Sequence, residues 1–173
     1  VIIPEEYKML PASPSELIQD EGITIWYSVT TAIVELILRG ALEHRDLSAL
    51  RWIKFGGEPF PPKHMQTLQE MLPHARVCNV YGPAEVNQCT YFHVPDLPHK
   101  YKEIYVPIGY VWDVADGLIV DENDEAVPVG QTGELLIAAS TRMQGYWKQP
   151  ELTGRGFYRQ RPYPDTPYEK IFY

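Results

Sequence analysis

Three short β-rich runs recur about 25 residues apart, with a helical pattern in each gap. They are Ile23-Thr24-Ile25-Trp26-Tyr27, Arg51-Trp52-Ile53-Lys54-Phe55, and residues 75–80. The first gap carries Ile33, Val34, Leu36, Ile37 and Leu38, apolar almost all round, which predicts a buried helix closed by Gly40. In the second gap Pro61-Pro62 opens an amphipathic helix with Met65, Leu68, Met71 and Leu72 on one face. Upstream, Ser13-Pro14-Ser15-Glu16 reads as a capping box starting a helix that ends near Gly22. Strands joined through helices pair in parallel, because a parallel connection needs a crossover. The pattern therefore predicts an α/β fold, a parallel sheet with helices on both faces. Ligands collect beyond the carboxyl ends of such strands. The loops at those ends begin at Ser28, Gly56 and Tyr81, and one site built from all three is expected.

The third strand runs into Asn79-Val80-Tyr81-Gly82-Pro83-Ala84-Glu85. Asn79 offers an amide for a base edge and Tyr81 a ring to stack on a base. Gly82-Pro83 forces a turn, and Glu85 is a carboxylate able to hold a hard cation beside phosphate. On its own, this heptapeptide fits an ordinary β-turn equally well.

Beyond Glu85 the pattern changes. Residues 87–93 read as a further strand, and His99-Lys100-Tyr101-Lys102 as a polar loop. Gly117-Leu118-Ile119-Val120-Asp121 and Gly133-Glu134-Leu135-Leu136-Ile137 predict an antiparallel pair turning at Glu122-Asn123-Asp124-Glu125. That acidic turn lacks the ligand spacing of a calcium loop and reads as a hairpin tip. The stretch 159–167, rich in Pro and charge, reads as a surface loop. His44, His64, His74, His93 and His99 show no spacing of a zinc site.

The 173 residues suffice for one sizeable core or one domain and part of another. A net charge of -8 argues against a nucleic-acid partner, whose phosphates demand Lys and Arg. No apolar run has the length of a membrane span and no signal-peptide pattern opens the chain. Cys78 and Cys89 form no disulfide framework, so a cytoplasmic setting is expected. The chain opens as if mid-strand and stops at the apolar run Lys170-Ile171-Phe172-Tyr173, which is expected of a piece of a larger protein.

Two separated segments resemble one family. Asn79 to Glu85 resembles the fifth core motif of the adenylate-forming enzymes, Asn-x-Tyr-Gly-Pro-Thr-Glu. Gly133-Glu134-Leu135, then Gly145-Tyr146-Trp147 and Pro150-Glu151-Leu152-Thr153, resembles the sixth, and Phe55-Gly56-Gly57-Glu58 looks like the family's adenine-facing turn. Within the family the chain is most similar to amino-acid adenylation domains of non-ribosomal peptide synthetases. Trp26-Tyr27-Ser28-Val29 and Asn87-Gln88-Cys89-Thr90-Tyr91 resemble the free-standing kind that loads a carrier protein. The fold implied is a flavodoxin-like central subdomain over 1–106 and part of a β-barrel subdomain over 107–173. The family's N-terminal subdomain and C-terminal mobile domain, with its phosphate loop, ribose Asp and catalytic Lys, have no counterpart in the sequence.

By resemblance, the reaction joins an amino-acid carboxylate to the α-phosphate of ATP and then loads a thiol, the phosphopantetheine of a peptidyl carrier protein. Asn79 would pair with the adenine amine, and Tyr81 would stack on the ring opposite Gly56 and Gly57. Glu58, Val80, Gly82 and Ala84 complete the nucleotide set. Glu85 would hold Mg²⁺ and is the catalytic and metal candidate. Ala84 departs from the motif, whose Thr hydroxyl contacts the α-phosphate. Ser28, Ile53, Phe55, Val80, Gln88 and Cys89 would surround a small or medium uncharged side chain, a proline-like one being the nearest guess; for Ile53 and Val80 simple core packing is the competing explanation. The other subdomains of the adenylation domain are the remaining partners implied. Two alternatives stay open: a non-catalytic AMP-binding or interaction subdomain, and part of an acyl- or aryl-CoA ligase. With the opposite wall missing, the isolated chain is not expected to be catalytic.

Overall fold

The computed structural model describes residues 7, 13–96, 105–162, 165, 167 and 169–173. The readings of residues 1–6 and 99–102 lie outside this set. Two compact units divide the chain. One holds the residues up to Val80 together with Tyr91–Gly109, and the other holds Tyr81–Thr90 and Tyr110–Tyr173.

In the first unit, α1 (Ser13–Asp20) precedes β1 (Ile25–Val29), α2 (Thr30–Arg39), β2 (Trp52–Gly56), α3 (Pro62–Met71) and β3 (Arg76–Tyr81), with β4 (Thr90–Val94) beside β3. β1, β2 and β3 are parallel. Their register aligns Trp26, Ile53 and Val77, and two residues on Ser28, Phe55 and Asn79. Because side chains alternate along a strand, those residues share one face. Trp26, Ile53, Phe55 and Val77 are buried there with Ile33, Leu36 and Ile37 of α2 and Met65 and Leu68 of α3. Each such side chain contributes about 1.5–3 kcal/mol on leaving water. On the other face of β1, Ile25, Tyr27 and Val29 are exposed.

Several elements differ from the sequence reading. α2 buries one stripe, Thr30, Ile33, Leu36 and Ile37, while Leu38 is exposed. An apolar residue costs little on a surface, so composition alone does not reveal which side of such a helix is covered. β4 begins at Thr90 rather than Asn87, because residues 81–89 close into a loop. A 3-10 turn, Leu42–His44, was not foreseen.

The second unit contains β5 (Tyr110–Val111), the antiparallel pair β6 (Ala115–Val120) and β7 (Glu134–Ala139), α4 (Pro150–Arg155), and a second antiparallel pair, β8 (Tyr158–Gln160) and β9 (Lys170–Phe172). The predicted hairpin is present. Its tip is fixed by Asp121, whose Oδ1 accepts from the backbone N–H of Asn123 and Glu125. β7 is apolar on both faces. Leu136 and Ala138 pack with Val120 and Phe172, and Ile137 packs with Val86 and Cys89. Tyr173 exchanges two backbone hydrogen bonds with Ile137, of 2.8 and 3.0 Å, which seats the last residue beside β7. Arg159 and Gln160, expected in a loop, instead form β8. Their strand is tied down by Glu169, which accepts from both Arg159 and Arg161.

Candidate functional site

The residues expected at a nucleotide site divide between the two units. In the second unit, residues 81–89 form a closed loop. Cys89 N–H donates to the Tyr81 carbonyl at 2.8 Å, drawing the ends together. Inside it, the Pro83 carbonyl accepts from Val86 and Asn87, and Asn87 takes a left-handed backbone with φ 60. The Asn87 side chain then accepts from Gln88 N–H at 2.8 Å. A Cβ at Gly82 would run into the Asn87 carbonyl, so only glycine permits this closure. Val86 is fully buried and Cys89 nearly so, both against Ile137. Burial pushes the Cys89 thiol up, as it does that of Cys78 in the first unit, and neither is bridged. The loop thus presents Tyr81 and Glu85 outward from an anchored base.

Glu85 is gripped twice. Its backbone carbonyl accepts from Met143 N–H at 2.6 Å, and its Oε1 accepts from the Tyr146 hydroxyl at 2.7 Å. Thr141 adds a bond to the Val86 carbonyl at 2.6 Å. The Tyr146 hydroxyl holds the Glu85 carboxyl below the usual carboxylate range, so it stays ionised. Tyr173 OH lies 3.1 Å from Tyr146 OH. Tyr146 is placed by its own motif. Its N–H donates to Thr153 Oγ1 at 2.9 Å, and Thr153 in turn donates to the Gln149 carbonyl. A Cβ on Gly145 would come within 2.7 Å of the Thr153 side chain. The spacing of Gly145, Tyr146 and Thr153 therefore has a steric and hydrogen-bonding reason. In the sequence Tyr146 stands only as part of a motif and Tyr173 only in the closing apolar run, and neither suggests a role. An aromatic hydroxyl set beside a glycine in a motif was the available signal.

A cavity of about 720 Å³ lies in this unit, bounded by Tyr81, Pro83, Glu134, Arg155, Arg159 and Tyr173 among others.

In the first unit, Gly56 ends β2 so close to the Val80 carbonyl that no Cβ fits. Gly57 follows with φ 88, exposed, with nothing within 4 Å of where a Cβ would stand. This gives the two glycines different reasons: close strand packing for the first, a left-handed turn with an open face for the second. Glu58 is engaged with the start of α2. Its carboxylate accepts from Thr31 N–H at 3.1 Å and Thr31 Oγ1 at 2.6 Å, and its carbonyl accepts from Thr30 Oγ1 at 2.9 Å. It caps a helix that has no cap of its own at Val29. Asn79 is buried, and its Nδ2 donates to the Pro107 carbonyl at 2.9 Å. A carbonyl can only accept, so the amide nitrogen is fixed there and Oδ1 is the free end.

Of the residues expected around a substrate, Ile53 and Phe55 lie in the first unit's core, Phe55 with its ring edge-on to Phe60 at 4.8 Å. Val80 is buried and Ser28 half-buried. In the second unit Cys89 is buried and Gln88 exposed.

A family model described as AMP-binding enzyme matches residues 1–147. The chain belongs to the AMP-binding enzyme family. Among curated relatives, an L-proline–[L-prolyl-carrier protein] ligase of Pseudomonas fluorescens is 32% identical, over 98% of this chain and 34% of that protein. A D-alanine–D-alanyl carrier protein ligase of Lactiplantibacillus plantarum is 32% identical, over 90% of the chain and 30% of that protein. The chain thus spans about a third of the length of these relatives. In structure, it is similar to CmiS6, with a TM-score of 0.86 at 26% identity, covering 99% of this chain and 40% of that one. The adenylate-forming family read from the two motifs is the one found, and the α/β fold with added antiparallel strands agrees with it. Among the described residues, no helix is long and apolar enough to cross a membrane.

The donors on this chain fit the groups that its family implies. Among the described residues no three metal-binding side chains cluster, so a protein-only metal cage is not formed. A lone ionised carboxylate suits Mg²⁺, which takes one or two carboxylates and completes its shell with phosphate and water. In the first unit the Asn79 amide oxygen suits a base edge, and in the second the exposed Tyr81 ring suits a base face.

Proposed function

We propose that this chain carries the adenine- and phosphate-facing residues of an ATP-dependent ligase. The reaction joins an amino-acid carboxylate to the α-phosphate of ATP, releases pyrophosphate, and passes the acyl group to the phosphopantetheine thiol of a carrier protein. The observation that carries this reading is Glu85: an ionised carboxylate on a closed loop, hydrogen-bonded to a neutral phenol rather than neutralised by a cation.

Asn79 Oδ1 accepts from the exocyclic amine of adenine while Pro107 holds the other end of the amide. The Tyr81 ring stacks on the base. In its own unit Gly57, lacking a side chain, leaves its backbone open to a base. Val80, Gly82 and Ala84 shape the backbone around the phosphates, and Glu58 fixes the Gly56-Gly57 turn through Thr30 and Thr31. Glu85 would hold Mg²⁺, and the ion, when bound, would neutralise charge on the triphosphate. The remaining residues contribute positioning, which accounts for much of such a rate enhancement.

The substrate is an amino acid with a small or medium uncharged side chain, proline-like by preference. Ser28, Ile53, Phe55, Val80, Gln88 and Cys89 include no ionised group, and the named activities of the relatives, on proline and D-alanine, point the same way. Amino-acid-dependent exchange of pyrophosphate into ATP, run on the full protein with a panel of amino acids and aryl acids, tests the reading. Exchange is expected with proline or another small uncharged amino acid. Exchange with no amino acid, or with aryl acids alone, overturns it.

A further inference from the structure

We propose that Tyr146 is a positioning residue that aims the Glu85 carboxylate at a nucleotide-bound divalent cation. This rests on the reading of Glu85 as the residue that holds Mg²⁺.

A glutamate on an exposed loop turns about three side-chain bonds. Its direction must be imposed if it is to hold a cation that demands near-ideal geometry. Here the imposition comes from outside the loop. Tyr146 OH takes Oε1 and so fixes the direction in which the carboxylate faces. Tyr146 is itself restrained at both ends. Its N–H is bonded to Thr153 Oγ1, and its hydroxyl is shared with Tyr173, whose backbone is paired on both sides with Ile137. Proton counting gives the chain a direction. A carboxylate only accepts, so the single Tyr146 proton goes to Glu85 and Tyr173 donates to Tyr146.

The chemistry of the partner matters as much as its position. Arg or Lys at this place would neutralise the carboxylate and compete with a cation. A phenol restrains one oxygen and leaves the full negative charge in place. Among the described residues no ion pair engages Glu85, although five pairs of Arg or Lys with other carboxylates are present. The sixth motif, on this view, acts through Glu85: Gly145 and Thr153 set Tyr146, and Tyr146 sets the carboxylate. Outer partners of this kind typically alter metal affinity by about 10- to 100-fold when removed.

The test is equilibrium binding of ATP to the full protein by calorimetry, with excess Mg²⁺ and with EDTA. The quantity read is the ratio of the two affinities. Tyr146→Phe is expected to cut that ratio about tenfold, with metal-free affinity within about twofold of the unmodified protein. Glu85→Gln is expected to remove the Mg²⁺ gain altogether. If Glu85→Gln keeps the gain, the reading of Glu85 falls. If Glu85→Gln loses it and Tyr146→Phe keeps it, that reading stands and the positioning role is overturned. An equal drop with and without Mg²⁺ in Tyr146→Phe marks a merely structural contact and also overturns the proposal. Should Tyr146→Phe not fold, Thr153→Val removes the acceptor for the Tyr146 N–H with little change of shape. It is expected to show the same selective loss, and an unchanged ratio there overturns the proposal.

Discussion

The hydroxyl of Tyr146 lies 2.7 Å from Oε1 of Glu85, a residue 61 positions earlier in the chain. One hydrogen bond therefore ties the turn that follows β3 to the segment between β7 and α4. Both ends are built for it: Gly82 and Asn87 close the first, and Gly145 and Thr153 the second. Neither motif makes full physical sense without the other.

Ala84 stands where the motif resembled has threonine. Ala84→Thr restores a hydroxyl for the α-phosphate, a hydrogen bond to a charged group worth roughly 1.5–3 kcal/mol when made in the transition state. The expected outcome is a rise in kcat of about 10- to 100-fold with KM for ATP little changed. Steady-state kinetics on the full protein checks it, and an unchanged kcat would show that the contact is supplied elsewhere.

Gly82 and Gly57 should respond differently to alanine. At Gly82 the new Cβ meets the Asn87 carbonyl, so the loop must open, at about 2 kcal/mol or more. At Gly57 the space is empty and only the left-handed backbone is penalised, at about 1–2 kcal/mol. Denaturant unfolding should rank Gly82→Ala as the less stable variant. ATP affinity should fall in Gly57→Ala more than its stability loss explains.

On the proposed reading Asn79 offers Oδ1 to the exocyclic amine of adenine, and hypoxanthine carries a carbonyl at that position. The unmodified protein should prefer ATP to ITP by about tenfold or more, and Asn79→Ala should bring the two within about twofold. A ratio of affinities is insensitive to any general loss of stability from leaving the Pro107 carbonyl unpaired.

Glu169 accepts from Arg161 at 2.7 and 2.9 Å and from Arg159 at 3.2 Å. Arg161 first, then Arg159, holds its carboxyl below the ordinary value of 4.5. The folded chain therefore binds this proton less readily than the unfolded one. The stabilisation is complete above the unfolded value and disappears as pH falls through the folded value. Thermal midpoints measured from about pH 5 down to about pH 2 should fall more steeply for the unmodified protein than for Glu169→Gln.

The parallel strands were legible because β-branched and aromatic runs bounded by glycine repeat at crossover spacing. The exposed side of α2 was not, since Leu38 resembles Leu36 in every property except position. α4 escaped notice as a single turn and a half with Gly154 inside it. β8 and β9 are three residues each and pair across a proline-rich stretch, so their order comes from long-range pairing rather than local pattern. At the site, residue types named Glu85 as a cation holder and Asn79 as a base reader. Their partners, Tyr146 and Pro107, lie 61 and 28 positions away, a separation that local propensity does not encode.

The proposed chemistry is tested most directly by following the carboxylate oxygen. Attack of the substrate carboxylate on the α-phosphate transfers one of its oxygens to AMP once the acyl group passes to a thiol or to hydroxylamine. With proline or another accepted amino acid labelled with ¹⁸O in its carboxylate, mass spectrometry of the products should find one label in AMP and none in pyrophosphate. Label in inorganic phosphate with ADP as the nucleotide product, or no transfer of label to any phosphate, would contradict adenylation.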